Sequence, residues 1–225
     1  MAYECKIGNQ ILACRCFGFF LVGCAAHKVE DVKESGFLGD YSGFKKGTED
    51  QLGLVYGKPG VNIKSYDKIM IDHVLVSLAP NSEATVIQPD QLAELANYFN
   101  KAIVNELKKD WQIVSEPGEG VLHLRTAITD IEPSNPTANT MSTIIPIGLA
   151  VSAVAKGTTD TNLGVGRASM EVELLDSVSG EKLAAAVDRR EGGKRAFTGK
   201  WEDVQDAFDY WAGRFGKWLR EQKNK

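Results

Sequence analysis

Apolar positions recur with two different periods along this chain, and each change of period marks a change of element. Between residues 89 and 110, Leu92, Leu95, Ala96, Phe99, Ile103 and Leu107 fall at helical spacing on one stripe. Pro89 and Asp90 stand in the first turn and Lys108 and Lys109 in the last, the charge order that suits a helix dipole. A second stripe, Val204, Phe208, Trp211, Phe215 and then Trp218 or Leu219, predicts a helix over 201–221. Its acids, Glu202, Asp203 and Asp206, come early, and Lys217 and Arg220 come late. At this spacing the aromatics read as a core face, with a sugar-stacking platform as the competing reading.

Elsewhere the period is two, or the run is apolar on both parities. Residues 69–78 are of the second kind, which predicts a strand covered on both faces and central in its sheet. Residues 111–115 and 121–131 flank Glu116-Pro117-Gly118-Glu119-Gly120, a turn by composition, and together predict a hairpin. In its second strand Leu122, Leu124, Thr126 and Ile128 share one face, and Val121, His123, Arg125, Ala127 and Thr129 share the other. Residues 167–176 alternate Ala168, Met170, Val172 and Leu174 against Ser169, Glu171 and Glu173, which predicts one wet face. Ser177-Val178-Ser179-Gly180 turns the chain into a strand over 182–190, where Ala184, Ala185 and Ala186 would let a helix or backbone approach closely. A short strand over 52–56 is broken by Lys58-Pro59-Gly60. Before it, Phe37, Leu38, Tyr41 and Phe44 predict an irregular segment pinned to the core by its aromatics.

The resulting class is α+β. Its architecture is a two-layer sandwich, a mixed or antiparallel sheet of about five strands with two main helices on one face. One stretch, carrying Ile144, Ile147, Leu149, Val151 and Val154, is too apolar for a loop and too short to span a bilayer. It packs across the sheet as an extra helix opened by Pro146, or it is an interaction segment held against a partner or the membrane surface.

Cellular address comes from Leu21-Val22-Gly23-Cys24, which matches the bacterial lipobox: a small aliphatic run and a small residue before a cysteine that becomes the lipidated N-terminus. Lys6 and Arg15 supply positive charge, and 16–22 supplies a short apolar run, as in a secretory signal. Glu4 and Arg15 interrupt that pattern, and the competing reading is a buried segment in which Leu-x-Gly-Cys occurs by chance. The division expected is a lipoprotein signal peptide over 1–23, a tether over 24–35 and a single α+β domain over 36–225. More than one acyl chain on Cys24 would make a stable membrane anchor. Ala25 stands where an aspartate would retain an enteric lipoprotein in the inner membrane, so resemblance to that sorting rule implies the outer membrane, with the domain facing the periplasm.

Composition narrows the chemistry. Cys5, Cys14 and Cys16 all precede Cys24, so cleavage leaves no second cysteine for a disulfide or a thiolate metal site. Cleavage also removes Lys6, Arg15 and Glu4, two positive charges and one negative, and takes the net charge from −4 to −5. A mildly acidic chain without a basic stripe argues against a nucleic-acid partner. Neither a Walker motif, nor His-Glu-x-x-His, nor Gly-x-Ser-x-Gly occurs, and no cofactor is expected. Gly164-Val165-Gly166 precedes a strand instead of opening a helix, and so reads as a bend and not as a phosphate loop. His73 and His123 have no second ligand at zinc spacing, since Asp72 and His73 point to opposite faces of a strand. Asp72, His123, Arg125, Asp130, Asp188 and Arg189 form a candidate polar cluster. Carboxylates converging in a cleft would make Asp72, Asp130 and Asp188 the centre of a hydrolase. The same carboxylates paired with Arg125 and Arg189 would make them structural.

Several longer stretches carry a resemblance. Ser35 to Ser42 (Ser-Gly-Phe-Leu-Gly-Asp-Tyr-Ser), Tyr66 to Asp72 (Tyr-Asp-Lys-Ile-Met-Ile-Asp), Gly164-Val165-Gly166 with 171–176, and Val187-Asp188-Arg189-Arg190 followed by Phe208-Asp209-Tyr210-Trp211 resemble the bacterial lipoprotein family catalogued as domain of unknown function 3313. That resemblance covers nearly the whole mature chain and implies no assigned activity. More loosely, the order of elements is similar to small envelope domains such as the amino-terminal domain of TolB and the curli secretion lipoprotein, a fold-level likeness that transfers no function. The reading expected is a lipid-anchored envelope lipoprotein, a non-enzymatic binding or assembly module for an envelope protein or glycan. An envelope hydrolase and a purely structural spacer are the alternatives.

Overall fold

The computed structural model describes residues 27–28, 34–48, 50–80, 82, 87–134, 166–192 and 199–225. Cys24 with its preceding signal, Gly164-Val165, and the apolar stretch carrying Ile144, Ile147, Leu149, Val151 and Val154 lie outside the described residues. The strands are β1 (His27–Lys28), β2 (Lys45–Lys46), β3 (Leu54–Gly57), β4 (Lys68–Ile71), β5 (Leu75–Val76), β6 (Gln112–Val114), β7 (Val121–Glu132), β8 (Arg167–Asp176) and β9 (Lys182–Glu191). The helices are α1 (Pro89–Leu107) and α2 (Glu202–Asn224). The described strands make one mixed sheet in the order β2-β3-β9-β8-β7-β4-β6, with β1 beside β9 and β5 beside β7. The class is therefore α+β as read from the chain, but the sheet is larger than the five strands expected, because six of its described strands are only two to four residues long and carry almost no periodic signal.

Three long antiparallel strands, β7, β8 and β9, form the middle. The β8–β9 turn is the one expected: the Asp176 carboxylate accepts from the backbone N–H of Ser179 at 2.7 Å, and Gly180 takes φ 69°. The hairpin expected across 116–120 does not form. β4 lies between β6 and β7 and runs parallel to both, so the turn carries the chain past β4 instead of back along β6. Two more expectations fail at β4. The single strand over 69–78 is interrupted, because residues 72–74 stand opposite only two residues of β7, and beyond this bulge Leu75 and Val76 are exposed. β4 is also next to the sheet's edge strand, not at its centre.

Both helices pack on one face. Leu95, Phe99, Ile103 and Leu107 of α1 and Val204, Phe208, Trp211, Phe215 and Leu219 of α2 are buried against Leu122, Leu124, Ile128, Met170 and Val172. Each such side chain contributes about 1.5–3 kcal/mol by leaving water. Phe99 stacks on Phe208 with centroids 4.6 Å apart and planes 7° apart. The helices approach closely at Gly216, where a Cβ would lie 2.7 Å from Glu106 Cγ. Leu219, not Trp218, completes the α2 stripe.

The opposite face is not wet. Ser169, Glu171 and Glu173 are all buried, Glu171 completely. Residues 35–44 cross this side as a strap, with Leu38 packed on Ala185 and Val187, and Phe37, Tyr41 and Phe44 around them. Alternation along β8 was legible, but the strap, sixty residues or more distant in sequence from any of these strands' ends, is invisible to a local pattern.

Candidate functional site

Charged side chains on the strap face come in pairs. Glu171 accepts from the backbone N–H of Ser35 and from the Tyr41 hydroxyl, both at 2.6 Å. Burial and the neighbouring carboxylate push the Tyr41 hydroxyl up to about 12. One step along β8, Glu173 pairs with Arg125 Nη1 and has Lys182 Nζ at 3.4 Å. The Arg125 guanidinium lies 5.1 Å from the centre of the Phe37 ring, and Lys182 donates to the Leu38 carbonyl at 2.8 Å. The strap is thus held by charge-assisted bonds as well as by its aromatics.

Asp72, His123 and Arg125 meet here. Asp72 Oδ1 is 2.9 Å from His123 Nε2, and its Oδ2 is 3.8 Å from Arg125 Nε. Further along the same face Asp130 accepts from Ser82 Oγ at 2.6 Å and lies 3.8 Å from Arg189 Nη2. Asp188 is elsewhere. It projects to the helix side, where it accepts from Gly53 N at 2.7 Å, Trp211 Nε1 at 2.8 Å and Arg190 Nε at 3.0 Å. Burial raises its pKa above the ordinary carboxylate value, and the Trp211 and Arg190 bonds pull it back. The six residues of the sequence cluster therefore fall into three groups on two faces of the sheet, and the three aspartates do not share a cleft. Among the described residues no three His, Cys, Asp or Glu side chains come together at a spacing that would hold a metal ion.

Sequence reasoning missed two features. Asp203, read only as a first-turn acid, is buried and accepts from Gly166 N at 3.0 Å and Ser134 Oγ at 2.6 Å, which ties α2 to the end of β7 and the start of β8. Gly166 has no room for a side chain there: a Cβ would lie 2.6 Å from Ser134 Oγ. The second is a cavity of about 310 Å³ between α2 and the β3–β9–β8 part of the sheet. Leu52, Val55, Leu174, Ala184, Ala186 and Phe215 give it apolar walls, and Arg214 and the 38 % exposed Trp218 stand among its lining residues. Ala184, Ala185 and Ala186 all line this space beneath α2. Ala184–Ala186 was the available signal, because small residues opposite a large-residue helix either close a gap or leave one.

Comparison with known proteins adds a family. Residues 33–215 match the family described as "Protein of unknown function (DUF3313)". The chain belongs to this family. The DUF3313 match begins just before the strap and ends within α2, so it includes all three polar groups and most of the cavity. Over 183 residues, 80 % of this chain and 81 % of the relative, the sequence is 26 % identical to the uncharacterized lipoprotein YdcL of Escherichia coli K12. That relative is named a lipoprotein, which is what the lipobox implies for this chain, and the family's description assigns no activity. Among solved structures, the PelC dodecamer of Paraburkholderia phytofirmans is 13 % identical, with a TM-score of 0.41 over 72 % of this chain and 94 % of that one. Protein XCC0632 of Xanthomonas campestris is 9 % identical, with a TM-score of 0.42 over 75 % and 91 %.

Proposed function

We propose that this DUF3313 protein is a non-enzymatic binding module, lipidated on Cys24, held in the outer membrane and facing the periplasm, where it engages another envelope component. The observation that carries the binding reading is the neutralisation of its carboxylates: Asp72 stands against His123 and Arg125, Asp130 against Arg189, and Asp188 against Arg190 and Trp211. Retaining and inverting hydrolases need two carboxyl groups facing one substrate across about 5–10 Å, and these three are divided between two faces. Ala25 after the lipidated cysteine supports the outer membrane, by resemblance to the enteric sorting rule, and the partner is a protein or a glycan.

Crosslinking in whole cells, followed by identification of what is attached, tests this reading. A discrete envelope component captured by the native chain, and lost from Cys24→Ala, is the expected result. Capture of nothing at any surface position, together with turnover of a cell-wall or glycan substrate by the purified chain, would replace the binder with an enzyme.

A further inference from the structure

We infer that the cavity beneath α2 receives the acyl chain of a fatty acid, with the carboxylate held by Arg214. This deepens the binding-module reading and rests on it. The cavity's walls are aliphatic and aromatic, and no acidic residue lines it. Arg214 is half-buried on its border and makes no hydrogen bond or ion pair with the described residues. A guanidinium beside an apolar space with no acid of its own complements a ligand that is apolar over most of its length and negative at one end. Its planar fork matches a carboxylate through two parallel N–H···O bonds.

The volume suits one acyl chain. If a methylene group takes about the 30 Å³ that a water molecule occupies, 310 Å³ holds about ten of them. A single acyl chain of about that length fills the space between α2 and the sheet. Trp218, 38 % exposed, marks an opening to solvent through which a chain can pass. A protein tethered to a bilayer also works beside a source of such amphiphiles.

Decanoate is the probe, added to the full-length Cys24→Ala chain so that no attached lipid competes. A chain-brominated decanoate is expected to quench Trp218 fluorescence saturably, and Trp218→Phe to lose that component. Affinity should rise about fourfold per methylene from hexanoate to decanoate and then level off as the cavity fills. Decanol should bind about tenfold more weakly than decanoate, and Arg214→Gln should abolish that difference while leaving decanol binding unchanged. Ala184→Leu, which fills the space, should weaken both at least about tenfold. Absence of saturable decanoate binding by the parent chain overturns the inference. So does a carboxylate preference that survives Arg214→Gln, and so does tighter binding of lysophosphatidylglycerol, which would assign the site to a phospholipid head. Failure here with a partner still captured in cells leaves the binding module standing, whereas decanoate binding with no captured partner does the reverse.

Discussion

Trp211 joins the two halves of the core, and two substitutions separate what its ring and its N–H each contribute. The ring is fully buried, 5.7 Å from Phe99 and 6.0 Å from Phe208 between centroids, and its N–H meets the buried Asp188 carboxylate at 2.8 Å. Trp211→Ala removes both and is expected to cost about 3–5 kcal/mol, as for other large buried aromatics. Trp211→Phe keeps an aromatic ring and deletes the donor, for which about 1.5–3 kcal/mol is expected because the acceptor is charged. The two losses differ in their dependence on pH. Burial raises the Asp188 pKa above 3.8, so the folded state holds this proton more tightly than the unfolded chain. Stability contributed by the protonated form is therefore present below the ordinary value and lost as pH rises through the folded value. The indole bond opposes this shift, so Trp211→Phe raises the folded pKa further and widens the window of loss. Urea unfolding of Trp211→Phe beside the parent, at about pH 7 and about pH 4, should show the penalty shrinking at the lower pH. An equal penalty at both would mean that Asp188 is not the indole's charged partner. A loss below about 1 kcal/mol for Trp211→Ala would mean an exposed stripe and would reopen the sugar-platform reading.

Three further outcomes follow from packing and charge. Tyr41, Tyr66 and Tyr98 each bond a carboxylate, and burial and that neighbour push each up to about 12; phenolate absorbance should lag that of the unfolded chain, and stability should fall as pH rises from 10 towards 12. At Gly192 a Cβ would overlap the Asp203 side chain, so Gly192→Ala should cost about 1–3 kcal/mol in urea unfolding, and a neutral result would show that α2 docks differently. Asp72 is 44 % exposed, so Asp72→Asn should cost less than about 1 kcal/mol, whereas Arg125→Ala, which leaves buried Glu173 with Lys182 alone, should cost more, and the reverse order would make Asp72 the centre of the group.

Both long helices and the three long strands were legible because each carries enough periodic positions to outvote chance. Val204, Phe208, Trp211, Phe215 and Leu219 fix the face of α2 without any knowledge of what it meets. Strand partners are a different kind of information. Nothing in Gln112–Val114 or in the Glu116–Gly120 turn says that Lys68–Ile71 inserts beside them, since a short connection usually joins neighbours and here it does not. The same limit hid the strap. Glu171 reads as a solvent position from its alternation with Met170 and Val172, yet its partners, Ser35 and Tyr41, are more than a hundred residues away. At the candidate site, residue types were legible and groupings were not. Asp188 and Arg189 are adjacent in sequence, and that adjacency is what sends them to opposite faces of β9.

The anchor supports everything said about compartment and partner, and the mass of the protein recovered from the membrane fraction tests it most directly. Acylation on Cys24 predicts a chain that begins at residue 24 and carries the added mass of more than one acyl chain, with Cys24→Ala absent from that fraction. A membrane-bound protein with residues 1–23 still attached and no acyl mass, or an unacylated native chain found only in the soluble fraction, would contradict the account.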